Sequence, residues 1–443
     1  MCLKAFFLKK MQTGYCKIGF IFVILHRETN KQTRYTMLEA FFKIHDYLIE
    51  QVQTPLRRQL MDEINWEDRL IAIKGGRGVG KTDFLLARAK ALREQELRED
   101  ELHRPRRGTQ PKRRSLYVNF NNFYFTEHSL IEFTREFYKA GGRTLLLDQM
   151  FKYPNWSREL RRCHDRYQDL HIIFSASPVM RLVEDNKDIA NIVHMYNLRG
   201  FSFREYLNLQ TGLNLPVFTL EQVLKNHASI SRELCETIHP LKYLRDYMEH
   251  GYYPAYLEAT NFEEALTRTM NMMLEIDVLM IKQIDVACIP KLRKLLYIML
   301  KDTPCALNIS NISDEIELSR ATTMNYIKYL KDARLLNLLY MQGKQFPSKP
   351  LKVYMQNTNL AHMIITRELD DQSLYETFFY MCLHGAHKVN ATERSAMFVV
   401  DNQYYFDVRC DNDQRDLIRP TMIGNIETGL GNAIPLWLLG FLY

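Results

Sequence analysis

Eight consecutive residues, Gly75-Gly76-Arg77-Gly78-Val79-Gly80-Lys81-Thr82, constrain this chain more than any other stretch. They satisfy G-x-x-x-x-G-K-[ST], the phosphate-binding loop (P-loop), whose glycines let backbone N–H groups converge on phosphate oxygens at a helix N-terminus. The context is the one such a loop needs. A short apolar run, Leu70-Ile71-Ala72-Ile73, reads as the strand before it, and Phe84-Leu85-Leu86-Ala87-Arg88-Ala89 begins a helical pattern after it. In this setting Lys81 is expected to reach the β- and γ-phosphates of a nucleotide, and Thr82 to ligate Mg²⁺. Residues Gly75 to Thr82, with Asp83 next in the chain, form the expected nucleotide cradle.

The apolar, strand-like runs that follow support the same reading. Leu116-Tyr117-Val118-Asn119-Phe120 is one, and Arg143-Thr144-Leu145-Leu146-Leu147-Asp148 ends in an acid. An acid at the carboxyl end of a buried strand downstream of a P-loop is placed to hold Mg²⁺, so Asp148 joins Thr82 as an expected metal ligand. The next residue is Gln149 rather than a glutamate. An amide orients water but cannot take its proton, so Gln149 is a catalytic candidate with weakened hydrolysis as the expectation. Leu170-His171-Ile172-Ile173-Phe174-Ser175 is a further strand, with Ser175 and Ser177 as candidates to sense a terminal phosphate. Strands alternating with helices imply a parallel, doubly wound α/β sheet with nucleotide at its carboxyl edge.

Charge narrows the choice of partners. The formal net charge is +7, but residues 1–36 hold seven Lys/Arg and one acid, leaving about +1 for the rest. A nucleic-acid argument therefore has to rest on local patches. One is 104–114, with six Lys/Arg, no acid, and Pro105, Gly108 and Pro111, which reads as an exposed loop. Residues 1–36 are unlike the remainder. Their apolar run, Ile18 to Leu25, is too short to span a bilayer. Met37 opens a well-patterned amphipathic helix, so 1–36 are expected to be a non-native or disordered N-terminal extension, with no membrane partner. Eight scattered cysteines without a C-x-x-C pair fit a reducing, cytoplasmic setting.

Two further stretches carry a resemblance. Lys152-Tyr153-Pro154-Asn155-Trp156 and Gly200-Phe201-Ser202-Phe203-Arg204-Glu205-Tyr206-Leu207, with the ending Gly431 to Tyr443, resemble a family of prokaryotic AAA-family ATP-binding proteins. That resemblance implies a P-loop core, a helical lid, a winged helix and a C-terminal domain similar to restriction endonucleases. The expected organisation is an α/β fold with a P-loop NTPase core at 37–212, a helical lid at 213–288, a winged helix at 289–350 and an endonuclease-like domain at 351–443.

The departures from that family bear on activity. Asp148-Gln149 stands where Asp-Glu is usual, Ser175-Ala176-Ser177-Pro178 replaces a Thr-Gly-Ser-Ser turn, and Lys187-Asp188-Ile189-Ala190-Asn191 lacks the paired arginines of relatives. In the last domain, Met397 stands where a metal-binding Asp would be and Asp407-Val408-Arg409 replaces Glu-x-Lys, with Glu376 as the helix acid, so nuclease chemistry is not expected. ATP with Mg²⁺ is the expected cofactor, and slow or impaired hydrolysis driving or gating domain rearrangement the expected activity. The rivals are a non-hydrolysing nucleotide-gated module that meets a protein partner or itself, and a DNA-binding effector. For the last, Arg320, Thr322, Thr323, Asn325 and Lys328 would face a groove.

Overall fold

The computed structural model describes residues 37–53, 55–102, 113–180, 182, 184–257, 261–280, 284–301, 303–364, 370–392, 397–410 and 417–443. The N-terminal extension and most of the 104–114 patch lie outside them. Of that patch, Arg113 pairs with Asp46 at 2.7 Å and Arg114 with Glu99 at 3.3 Å, so both described cations are tied to neighbouring helices.

The core is a five-stranded sheet in the order β2-β3-β4-β1-β5, parallel throughout. Its strands are β1 (Leu70–Gly75), β2 (Ser115–Asn119), β3 (Thr144–Asp148), β4 (His171–Ala176) and β5 (His194–Leu198). Helices cover both faces of such a sheet, which is why β1 to β4 read as unbroken apolar runs rather than alternating ones. Leu70, Ile71, Leu116, Leu145, Leu146 and Phe174 are all fully buried. Helix α1 (Met37–Gln51) packs against β2 and against α2 (Lys81–Leu102), which runs from the P-loop. Helix α3 (Leu130–Lys139) packs against α4 (Trp156–Arg166). Ser129 starts α3 with a capping box to Glu132.

After β5 come α5 (Phe203–Thr211), α6 (Leu220–Thr237) and α7 (Leu241–Asp246), the last running on as a π-helical turn, Tyr247–Gly251. Helix α8 (Phe262–Met272) likewise continues as a π-helical segment, Met273–Met280. Then α9 (Ile289–Lys301), α10 (Ile309–Glu315) and α11 (Arg320–Asp332) lead into an antiparallel pair, β6 (Leu336–Leu339) and β7 (Lys352–Met355). Cys305 bridges to Val353 beside that pair. Ser319 caps α11 by accepting from the Thr322 amide.

The chain then forms α12 (Thr358–Ile364), α13 (Asp371–Leu383) and a second sheet. Its strands are β8 (Val389–Asn390), β9 (Phe398–Val400), β10 (Tyr404–Arg409), β11 (Thr421–Ile423) and β12 (Ala433–Pro435). β8, β9 and β10 pair antiparallel, while β10, β11 and β12 pair parallel. Helix α6 does not lie over the P-loop; it packs on β12 and on the 3₁₀ turn Leu436–Phe441. Among the described residues no helix is long and apolar enough to cross a membrane.

Candidate nucleotide site

The P-loop leaves the carboxyl end of β1, between β4 and β5, where the parallel strands turn over into helices. Gly78 and Gly80 have φ of 82° and 88°, a left-handed region that costs a residue with a Cβ but not glycine. Gly75 has a different constraint: a Cβ there would sit 2.4 Å from the Leu198 carbonyl. Lys81 Nζ lies 2.7 Å from both the Gly75 and the Gly76 carbonyls, folded back along the loop it serves. Burial lowers its pKa to about 8, with the Asp277 and Asp148 charges opposing and Arg77 reinforcing the drop. Val79 contributes backbone, its side chain buried in the core, and Asp83 stands exposed in the first turn of α2.

Asp148 is the centre of a dense polar cluster although it is only 2% exposed. One carboxylate oxygen, Oδ2, accepts from Thr82 Oγ1 at 2.8 Å and from Tyr117 OH at 2.9 Å. The other, Oδ1, accepts from Ser175 Oγ at 2.5 Å and from the Gln149 amide at 2.9 Å. Burial and this carboxylate hold the Tyr117 phenol protonated, well above its ordinary pKa. The donor set fits Mg²⁺. Two hard oxygens 2.8 Å apart match the edge of an octahedron with Mg–O distances of about 2.1 Å, and phosphate and water normally supply the rest.

Gln149 takes a left-handed backbone, φ 57°, ψ 34°, immediately after Asp148. Its Oε1 accepts from Asn121 Nδ2 at 2.8 Å, and Lys152 Nζ donates to the Asn121 Oδ1 at 2.7 Å. The two serines of the sensor turn divide their roles. Ser175 is held within the cluster, bonded to Asp148 and to the Gln149 amide. Ser177 instead donates to Asp277 at 2.8 Å. Arg77 is committed to the same carboxylate, its Nε 2.8 Å from Asp277 Oδ2.

The stretch at 200–207 explains itself once its contacts are followed. Glu205, 1% exposed, accepts from Arg58 Nε at 3.1 Å and from the Gln59 amide at 3.0 Å. Arg58 in turn donates to the carbonyls of Val79 in the P-loop, Arg199 and Gly200. Arg204 reaches the Tyr443 and Leu215 carbonyls, and Tyr206 donates to Asp246 beyond α7's first turn. One short motif therefore fastens the P-loop, the chain's last residue and the α7 helix together.

The structure gathers Lys81, Thr82, Asp148, Gln149 and Ser175 at one sheet edge. The sequence reading did not single out Tyr117, Asn121, Arg58 or Asp277. Asn119, at the polar end of the apolar β2 run, was the available signal for the β2 contribution: its Nδ2 lies 3.5 Å from Asp148 Oδ2. Glu376, on α13, is buried and held from β7 by Tyr354 OH at 2.9 Å and Lys352 Nζ at 3.3 Å, while Asp407, on β10 of the second sheet, pairs with Arg419 at 3.5 Å. On α11, Arg320 and Asn325 are exposed, but Thr323 is fully buried and bonded to Ser313 and the Ser319 carbonyl, which removes it from the expected groove-facing set.

Residues 67–207 match a family model described as an AAA domain, and residues 241–371 match a domain of unknown function. An uncharacterized protein of Methanocaldococcus jannaschii is 22% identical over 291 residues, which are 63% of this chain and 58% of that protein. Among solved structures, the Aeropyrum pernix ORC1 protein in complex with DNA is 14% identical, covering 77% of this chain and 93% of its own, with a TM-score of 0.31. The C. elegans PCH-2 structure is 13% identical over 66% of this chain and 68% of its own, with a TM-score of 0.24. Residues 67–207, which match the AAA domain model, carry the P-loop and the parallel sheet of a P-loop NTPase fold.

Proposed function

We propose that this chain binds Mg-ATP through Gly75–Asp83, with Thr82 and Asp148 as the protein's ligands to the ion, and hydrolyses it slowly. The observation that carries the proposal is the 2.8 Å contact of Thr82 Oγ1 with Asp148 Oδ2, at the mouth of a P-loop whose lysine is in place. Thr82 and Asp148 would hold the ion, whose charge would offset that of the phosphates. Lys81 would hold the β- and γ-phosphates, and the amides opened up by Gly78 and Gly80 would cradle them.

Slow turnover follows from what the remaining side chains can do. The residue beside Asp148 is an amide that accepts from Asn121, so it can order a water but cannot deprotonate it. Ser175 already serves Asp148 and the Gln149 amide. Occupancy would then act chiefly as a signal, changing how the lid (213–288), the winged helix (289–350) and the C-terminal domain (351–443) sit on the core, in a cytoplasmic protein that meets a protein partner or itself. The lid reading has support in the contacts over the P-loop from Tyr253, Pro254 and Thr269.

Mg-ATP affinity and single-turnover hydrolysis of wild type, Lys81→Ala and Gln149→Glu test this. Binding lost in Lys81→Ala, with fast hydrolysis appearing only in Gln149→Glu, is the expected result. Fast wild-type turnover would refute the slow step, and no nucleotide binding would refute the whole reading.

A second reading concerns DNA. Three helices, the third (α11) exposing Arg320 and Asn325, followed by the β6–β7 pair, favour a winged helix able to enter a groove. A gel shift whose affinity falls steeply with salt would support it, and no shift at low salt would dismiss it.

A further inference from the structure

Across the P-loop from β4, the π-helical segment Met273–Met280 carries a single buried acid in an otherwise mostly apolar run, Asp277, 2% exposed. Its carboxylate accepts from Arg77 Nε at 2.8 Å, Arg77 Nη2 at 3.3 Å and Ser177 Oγ at 2.8 Å. Arg77 is the third residue of the P-loop and Ser177 follows the carboxyl end of β4, so both donors face the mouth in which a nucleotide's phosphates would end. The Asp277 charge also reaches Lys81 and Lys152.

The loop is also approached closely in shape, by Thr269 of the 262–280 rod and by Tyr253 and Pro254 before it. A Cβ added to Gly78 would lie 3.2 Å from the Thr269 methyl and 3.3 Å from the Tyr253 ring, and one on Gly80 would lie 3.3 Å from Pro254. Burying a carboxylate among Met, Leu, Ile and Val is costly unless something compensates it, and here the compensation is drawn entirely from the phosphate-facing side. The arginine, the serine and the nearby lysine form the kind of donor set that a terminal phosphate recruits.

We propose that Asp277 is an internal stand-in for the terminal phosphate, so that it sets the preference between tri- and diphosphate nucleotides. This rests on the nucleotide-binding reading above. Without nucleotide the carboxylate holds Arg77 and Ser177 and keeps the 262–280 rod on the P-loop. A third phosphate competes for the same donors and repels a second anion buried beside it, so the carboxylate leaves and the rod is released. A diphosphate ends short of those donors and leaves the contact closed. The match to a domain of unknown function begins at residue 241 and contains Asp277, so that release would pass directly into the part of the chain beyond the core.

The test uses the full chain, with ADP and the non-hydrolysable β,γ-imido analogue of ATP, each with Mg²⁺, read by calorimetry and by hydrogen exchange of 262–280. In wild type, the triphosphate analogue should raise exchange in 262–280 and ADP should not. In Asp277→Asn, exchange there should already be raised without nucleotide. Its affinity for the triphosphate analogue should rise about tenfold while that for ADP changes less than about threefold. Equal changes for both nucleotides, or weaker triphosphate binding, would overturn the proposal and leave nucleotide binding standing. Wild type binding neither nucleotide, with Lys81→Ala indistinguishable from it, would overturn both. The wild-type exchange comparison does not depend on any variant folding; unchanged exchange with bound triphosphate sinks the proposal by itself.

Discussion

Thr82 Oγ1 and Asp148 Oδ2 stand 2.8 Å apart although 66 residues of chain separate them. The contact exists because β1 and β3 both border β4 in one parallel sheet, which brings the P-loop and the end of β3 to the same edge. In the free chain it is a hydrogen bond, and the same two oxygens would hold Mg²⁺ in the proposed nucleotide complex.

Asp148→Asn should therefore separate metal binding from folding. An amide can still pair with the rotatable hydroxyls of Tyr117, Thr82 and Ser175, so the stability cost should stay near 1–2 kcal/mol. The Mg²⁺-dependent share of nucleotide affinity should disappear, because a neutral amide is a poor ligand for a hard dication. Titrating nucleotide with Mg²⁺ and with excess chelator reads this directly: the two curves should coincide in the variant and differ in wild type. Tyr117→Phe is the control. It should cost about 1 kcal/mol and keep the Mg²⁺ dependence.

Lys81 predicts opposite pH trends for binding and for stability. Burial lowers its pKa to about 8 from an ordinary 10.5. Between those values the unfolded chain binds more protons than the folded one, so the free protein gains stability as pH rises through this window. Phosphate attraction needs the ammonium, so affinity should fall by up to about tenfold per pH unit above 8. Nucleotide affinity and urea midpoints from pH 7 to 9.5 would show the two trends, and Lys81→Met should flatten both.

The P-loop, the apolar strands and the acid after Leu147 were legible because each is local: a spacing, a run or a strand end. What could not be read was long-range pairing of unlike residues. Nothing around Asp277 marks it, since one acid in an amphipathic helix ordinarily faces water; only the fold brings it to Arg77, 200 residues away. Arg58 was hidden for the same reason, its partner Glu205 lying 147 residues on. Helix α2 runs on to Leu102, well past its apolar start, because charged residues on its outer face need no core to remain helical.

Acid should destabilise the core through His45. This residue is 1% exposed, and its Nδ1 accepts from the Tyr117 amide at 3.0 Å. Burial, then the nearby Arg93 and Arg113 charges, lower its pKa from 6.5 to about 4. In that window the folded state binds fewer protons than the unfolded one, so stability is lost as pH falls from 6.5 toward 4 and the loss levels off below. The full effect is on the order of 3 kcal/mol. His45→Gln keeps an acceptor for the Tyr117 amide and removes the titration, so its melting temperature should depend less on pH between 6.5 and 4. His384, lowered to about 3 by burial and the Arg334, Lys331 and Arg199 charges, should leave a residual slope in that variant.

The Arg58–Glu205 pair separates tethering from charge. Its side chains are 11% and 1% exposed, so removing one partner strands a buried charge. Glu205→Ala should cost about 3–5 kcal/mol, far more than any surface pair here. It should also weaken nucleotide binding, because Arg58 holds the Val79 carbonyl within the P-loop and would be drawn elsewhere once its acid is gone. Replacing both partners with apolar residues of similar volume, Arg58→Met with Glu205→Leu, removes the desolvation cost together with the attraction. Stability should then recover most of the loss. Nucleotide affinity should not recover, since methionine cannot donate to Val79, Arg199 and Gly200. Chemical denaturation and nucleotide titration of the two singles and the double form the cycle. Recovery of both properties would mean that the pair only fills space, whereas recovery of stability alone would assign Arg58 to holding the phosphate loop in shape.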